Sequence, residues 1–258
     1  MFHTKTIALF MFALTVVGGL LVGADMAFAQ DSTNLLNINV DDDILSSRRL
    51  FQLFMLVTVL SLAPSIVMMV TSFTRIVIVL SFLRTAMGLQ NTPPNPVLIA
   101  LAMFLTMFVM APTFEKAYEE GIGPYIEERI DEQTAIDRTI DPFRDFMGTQ
   151  VGERELDLFV GMLREPPETV ESARDVPLQA LIPAFMITEL RRAFEIGFLL
   201  FLPFLVIDLA VASILMSMGM MMLPPVIISL PFKIVFFVLI DGWSLLTGSL
   251  VQAFNVVQ

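Results

Sequence analysis

The sequence contains no cysteine, which excludes disulfides and thiolate metal sites. Its only histidine is His3, in a segment expected to be removed on maturation. A mature chain without histidine or cysteine lacks the usual general base, the usual nucleophile pairings and the commonest zinc ligands. A glycine-rich phosphate loop and a Gly-x-Ser-x-Gly elbow are missing as well. These absences argue against an enzyme, and neither a cofactor nor a metal site is expected. Basic residues are scarce too: 15 Lys and Arg stand against 26 Asp and Glu, a net charge of −11. With no basic footprint, nucleic acid is not an expected partner.

What the chain has is apolar length. Of its 258 residues, 56% are hydrophobic and the mean hydropathy is +0.78, against about 45–50% apolar in an ordinary soluble domain. A membrane or membrane-associated chain is indicated. The acidity is local. Residues 113–183 hold 17 acidic and 7 basic side chains, net −10, and the remainder holds 9 and 8, net −1.

In chain order, residues 1–29 read as a signal peptide: Lys5 supplies the positive start, 7–22 the apolar run and Ala27-Phe28-Ala29 the cleavage pattern. Residues 30–47, with Asp41-Asp42-Asp43, form a flexible N-terminal arm that starts outside the cytoplasm. Residues 48–112 form a first apolar helical hairpin. The run 50–83 is longer than the roughly 20 residues of one span, and Pro64 predicts a bend at Ala63-Pro64-Ser65. After the loop at 88–96, Pro96 opens a helix over 97–111, about 22 Å long and short for a bilayer. Residues 113–182 form an acidic helical insert of about three amphipathic helices, divided by Pro142, Pro166, Pro167 and Pro177. Leu156, Phe159, Val160 and Leu163 mark one apolar face. Pro183 opens a second apolar hairpin, 183–258, with Glu189, Arg191, Arg192 and Glu195 spaced to pair along its turns.

This second hairpin turns at a methionine-rich loop. Five of the 18 methionines lie within 216–222. Gly219 frees the backbone, and Pro224 and Pro225 stop the arriving helix. Methionine at a helix end is commonly core filler. Met220, Met221 and Met222 are consecutive, however, so one helix face cannot absorb all three. Flexible, unbranched side chains suit a surface that must refit against changing neighbours.

Charges inside apolar runs cost about 2.5–3.5 kcal/mol each at a membrane centre, so they should face protein. A hairpin turning near Met220 and Met221 sets Asp208 opposite Lys233, a buried salt bridge. A proton relay is the alternative. Arg75 and Asp241 have no evident partner within the chain, so Arg75, Arg84, Glu189 and Asp241 are assigned to contacts between subunits. Short spans, internal prolines and charges in the apolar runs suit helices packed mainly on protein. The positive-inside rule also gives a poor topology, since Arg48-Arg49 and Arg191-Arg192 would lie outside.

Four stretches carry a resemblance to a known family. They are Ser72 through Leu80 with Arg84 through Pro96; Pro183-Ala184-Phe185 with Glu189-Leu190 and Ala193 through Phe198; Pro203 through Leu209; and Met218 through Pro225 with Ser229 through Lys233 and Asp241-Gly242-Trp243. On these the chain resembles the FliP/SctR family of flagellar and injectisome type III export-gate proteins. The resemblance implies an all-α fold of proline-broken helical hairpins with a small acidic insert, one subunit of a helical, ring-like assembly. It also implies a pentamer joined with FliQ and FliR, near FlhA and FlhB, in the bacterial inner membrane at the flagellar basal body. The insert and the mature N-terminus would be periplasmic, although family members hold their helices largely above the membrane plane. Unfolded flagellar proteins would pass through a pore ringed by Met220, Met221 and Met222. A small-ion or proton-coupled transporter using Asp208, Lys233 and Asp241 is the second reading, and a passive scaffold the third.

Overall fold

The computed structural model describes residues 47–165, 167, 172–220 and 223–255. The expected signal peptide, nearly all of the N-terminal arm, and Met221 and Met222 lie outside the described residues. The chain divides into two units, 1–57 and 58–258. Of the first, the described residues are the opening of helix α1. The second holds the remaining helices and both hydrophobic cores.

Among the described residues the fold is all-α. Helix α1 spans Ser47–Val70 and α2 Phe73–Ala86. Next come α3, Asn95–Ala117, a π-helical turn at Tyr118–Ile122, and the single turn α4, Gly123–Ile126. Helices α5, Glu132–Gln150, and α6, Glu153–Val160, fill the acidic stretch. Helix α7 runs over Leu178–Ser217, and α8, Pro225–Leu239, and α9, Gly242–Asn255, complete the chain.

Several proline breaks expected from the sequence are not where the helices break. Helix α1 continues through position 64, and the interruption falls at Thr71 and Ser72. Hydroxyls serve the backbone there. Thr71 Oγ1 accepts from the Phe73 N–H at 3.4 Å, and Thr74 Oγ1 donates to the Met68 carbonyl at 3.2 Å. Pro142 lies inside α5. Pro177, not Pro183, precedes the long helix, and Pro183 is also internal to it. An internal proline costs roughly 3 kcal/mol. Close to Pro183, Leu181 and Phe185 are fully buried, each worth about 1.5–3 kcal/mol, so tertiary packing outweighs the local penalty. The helix expected over 97–111 is longer than predicted, because α3 runs directly into the π-helical turn and α4.

Two cores form along α7. Ile76, Val79, Leu80 and Leu83 of α2 pack with Leu98 and Ala102 of α3, Ala193 and Phe204 of α7, Phe237 of α8, and Leu246 and Leu250 of α9. Met147 of α5, Val176, and Ala180, Leu181 and Phe185 of α7 make the second core. Leu156, Phe159, Val160 and Leu163 all pack against it, so their helical spacing marks a packed face. The α2–α7 approach is close: a Cβ on Gly197 would lie under 3.0 Å from the Phe82 ring, so any larger residue forces the ring aside.

Three helical stretches are long and apolar enough to cross a membrane: Leu53–Val70, Asn95–Ile126 and Leu178–Ser217. Helices α8 and α9, bent by 63° at Ile240 and Asp241, would together make a fourth.

Candidate functional site

The methionine hairpin is built by a helix stop and a helix start. At the end of α7 the Met218 N–H bonds the Ile214 carbonyl at 3.1 Å, the Gly219 N–H that of Met216 at 3.1 Å, and the Met220 N–H that of Leu215 at 3.0 Å. Gly219 holds φ +74°, the left-handed conformation that closes a helix C-terminus and favours glycine. Pro224 then precedes α8, and Pro225 occupies its first position, where a missing N–H costs nothing. Met216, Met218 and Met220 are exposed at this tip, at 56%, 65% and 40%, and Leu223 joins them at 39%.

Lower on the hairpin lies a charged clasp. Lys233 Nζ of α8 donates to Asp208 Oδ2 of α7 at 2.6 Å, and Ser229 Oγ donates to Asp208 Oδ1 at 2.5 Å. The lysine is 5% exposed and the aspartate 33%, so the pair is half-buried, not fully buried as expected. Lys233 Nζ also donates to the Ala86 carbonyl at 3.2 Å, which sequence reading missed. That carbonyl belongs to the last residue of α2, where the helix dipole favours a cation. The lysine therefore joins three helices.

A second charged centre corrects the sequence assignment of Arg75 and Glu189 to contacts between subunits. The two meet within the chain. Arg75 Nε donates to Glu189 Oε2 at 2.8 Å, and Arg75 Nη2 bonds Glu189 Oε1 in a two-pronged pair. Both are about fully buried. Gln150 Oε1, at the end of α5, accepts from Arg75 Nη2 at 3.2 Å and from Arg192 Nη1 at 2.8 Å. The guanidinium carbon of Arg75 sits 3.8 Å from the centre of the Phe254 ring on α9, within cation–π range. The expected pairing along α7 occurs only at its edge, with Arg191 3.9 Å from Glu195 and 3.2 Å from Glu155 of α6. Partners 114 residues apart leave no periodic trace, so Gln150, Arg192 and Phe254 carried no sequence signal for this role.

The other two charges differ. Arg84 Nη1 donates to the Pro93 carbonyl at 3.3 Å and to Asn95 Oδ1 at 2.5 Å, pinning the loop between α2 and α3. It has no carboxylate partner among the described residues. Asp241, at φ +51°, is exposed at the α8–α9 bend, and it too forms no ion pair among the described residues. Outside these helices, Arg174 grips Asp145 with two bonds, of 2.9 and 2.6 Å. That grip lowers the Asp145 pKa and raises that of Arg174. Asp131 caps α5 through Thr134, and those hydrogen bonds lower its pKa.

The FliP family model matches residues 56–250, a stretch that takes in most of α1 and α9, all the helices between them, and the paired charges of both centres. The chain belongs to the FliP family. Curated relatives agree along most of their length. The flagellar biosynthetic protein FliP of Caulobacter vibrioides is 56% identical over 233 residues, 90% of this chain and 86% of that protein. Its counterpart in Agrobacterium fabrum is 51% identical over 243 residues, 94% and 98%. That of Bacillus subtilis is 51% identical over 203 residues, 79% and 91%. For this FliP-family chain, the matched region includes the Arg75–Glu189 pair, the Asp208–Lys233 clasp and the methionine hairpin.

Proposed function

We propose that this chain is a non-enzymatic subunit of the flagellar type III export gate, in the inner membrane at the basal body, with its acidic insert periplasmic. Several copies assemble with FliQ and FliR around a pore for unfolded flagellar proteins. Residues 220–222 of each copy close that pore. The observation carrying this reading is the exposed methionine tip, presented on two helices clasped together by Lys233, Asp208 and Ser229. An apolar constriction excludes water and ions by dewetting. Methionines can yield to a passing polypeptide and reseal on varied side chains, and rigid helices beneath them hold the ring in register. The proton-coupled transporter is the weaker reading, because Asp208 is engaged by an ammonium and a hydroxyl.

The test is ion leakage across the inner membrane of cells whose chain carries Met220→Ala, Met221→Ala and Met222→Ala, with assembly followed in parallel. Leakage with normal assembly is expected. Normal assembly without leakage overturns the closure role of the tip.

A further inference from the structure

Among the charges of α2 and of the stretch from α7 to α9, Arg84 and Asp241 stand outside the charged clusters formed by the described residues. Arg75 is matched by Glu189, and Arg192 joins the same cluster through Gln150. Lys233 is matched by Asp208, and Arg191 by Glu155 and Glu195. Arg84 keeps only neutral partners, the Pro93 carbonyl and the Asn95 amide oxygen. Asp241 has no ion-pair partner among the described residues, and its surroundings are apolar and open: Leu239 is 79% exposed, Ile240 41%, Trp243 38% and Leu245 58%. A carboxylate on such a surface is costly beside lipid or unmatched protein, so a complementary cation is called for.

Two contacts fix the heights of these residues. Lys233 touches Ala86 at one level, and Phe254 lies over Arg75 at another. Arg84 falls between Arg75 and Ala86 along α2, and Asp241 falls between Lys233 and Phe254 along α8 and α9. Gly197 of α7 lies against Phe82 of α2, and Phe204 of α7 lies against Phe236 and Phe237 of α8, so Arg84 and Asp241, each within about one turn of these contacts, flank the stretch of α7 between Gly197 and Phe204. Copies related by rotation about a membrane normal keep every residue at its own height. Charges that meet across such a contact lie at similar heights, to within the rise per copy.

We propose that Arg84 of one copy pairs with Asp241 of the next, with the open apolar residues of the α8–α9 bend forming the surrounding contact. The contact is head-to-tail, using different surfaces on its two sides. Repeating it generates a closed ring or, with a small rise per copy, a helical stack. The pairing rests on the proposed assembly of copies around one axis. It adds which faces meet and which residues set the register.

The absence of cysteine gives a clean test. Two differently tagged full-length chains are co-expressed, one carrying only Arg84→Cys and the other only Asp241→Cys, and the membranes are treated with a mild oxidant or a short bismaleimide. A covalent heterodimer of the two tags is expected, reversible by thiol after oxidation, with little product when both chains carry the same single cysteine. Native gel size is read on the untreated samples. Assembled chains without the heterodimer overturn the pairing and leave the assembly reading standing, whereas chains that remain monomeric overturn both. A cysteine at 241 that cross-links only to a protein of another mass overturns the second copy as occupant. In a separate arm, Arg84→Glu and Asp241→Arg are each expected to reduce oligomer and motility at least tenfold, and the double exchange to restore both substantially. Equal loss in singles and double counts against direct contact.

Discussion

The Arg75 guanidinium is held in a two-pronged pair with the Glu189 carboxylate, with both side chains out of reach of solvent and Phe254 covering the arginine at 3.8 Å. This one pair ties α2 to α7, and through Gln150 and Phe254 it reaches α5 and α9. The end of α5 in the acidic insert and the end of α9 thus converge on one guanidinium.

Removing one member of this pair strands the other. Arg75→Ala leaves a buried carboxylate uncompensated and should cost about 3–5 kcal/mol. An apolar replacement of both, Arg75→Met with Glu189→Leu, should cost clearly less. Thermal unfolding of detergent-purified protein, or steady-state abundance in cells, reads the difference. A double variant as unstable as the single would show that the charges matter for more than their mutual compensation.

Lys233 follows the same logic with a smaller amplitude. Lys233→Ala removes the bonds to Asp208 and to the Ala86 carbonyl, and hydrogen bonds to charged groups are worth about 1.5–3 kcal/mol. Asp208 is one-third exposed, so water softens the loss of its partner. Adding Asp208→Ala to the lysine variant should recover part of the assembly defect, measured by native gel. No recovery would argue that the lysine acts chiefly through α2.

Gly197→Ala drives a methyl into the Phe82 ring. Overpacking of this kind costs about 1–3 kcal/mol, and Phe82→Leu in the same chain should relieve it. An alanine variant with an unchanged melting temperature would mean that α2 and α7 can separate freely.

The acidic insert should lose stability on the acid side only. Arg174 holds the Asp145 pKa below its ordinary value. Its contribution is therefore present above the unfolded carboxylate pKa, about 3.9, and fades as pH falls through the lower folded value. Both side chains are about half exposed, so solvent screening keeps the effect small. Asp145→Asn should flatten the stability profile below about pH 4 and leave a small constant deficit above it, followed by circular dichroism. A profile of unchanged slope in the variant would assign the acid sensitivity to other carboxylates.

The apolar runs and the localised acidity were written in composition and indicated a membrane-suited chain, and the family motifs implied its all-α fold. The turn chemistry of Gly219, Pro224 and Pro225 was equally local, so the methionine hairpin was legible. So was the register bringing Asp208 to Lys233, because two helices leaving a short turn can align in few ways. The prolines misled for the opposite reason. A proline states a local cost, whereas whether a helix breaks there depends on what its neighbours bury, as Leu181 and Phe185 do beside Pro183. Arg75 was read as unpaired, and Glu189 as pairing along its own helix or between subunits, because the two lie 114 residues apart and no sequence periodicity links them. Only the packing of α2 against α7 decides that they meet, since burying two opposite charges is tolerable only when the fold delivers them to the same place.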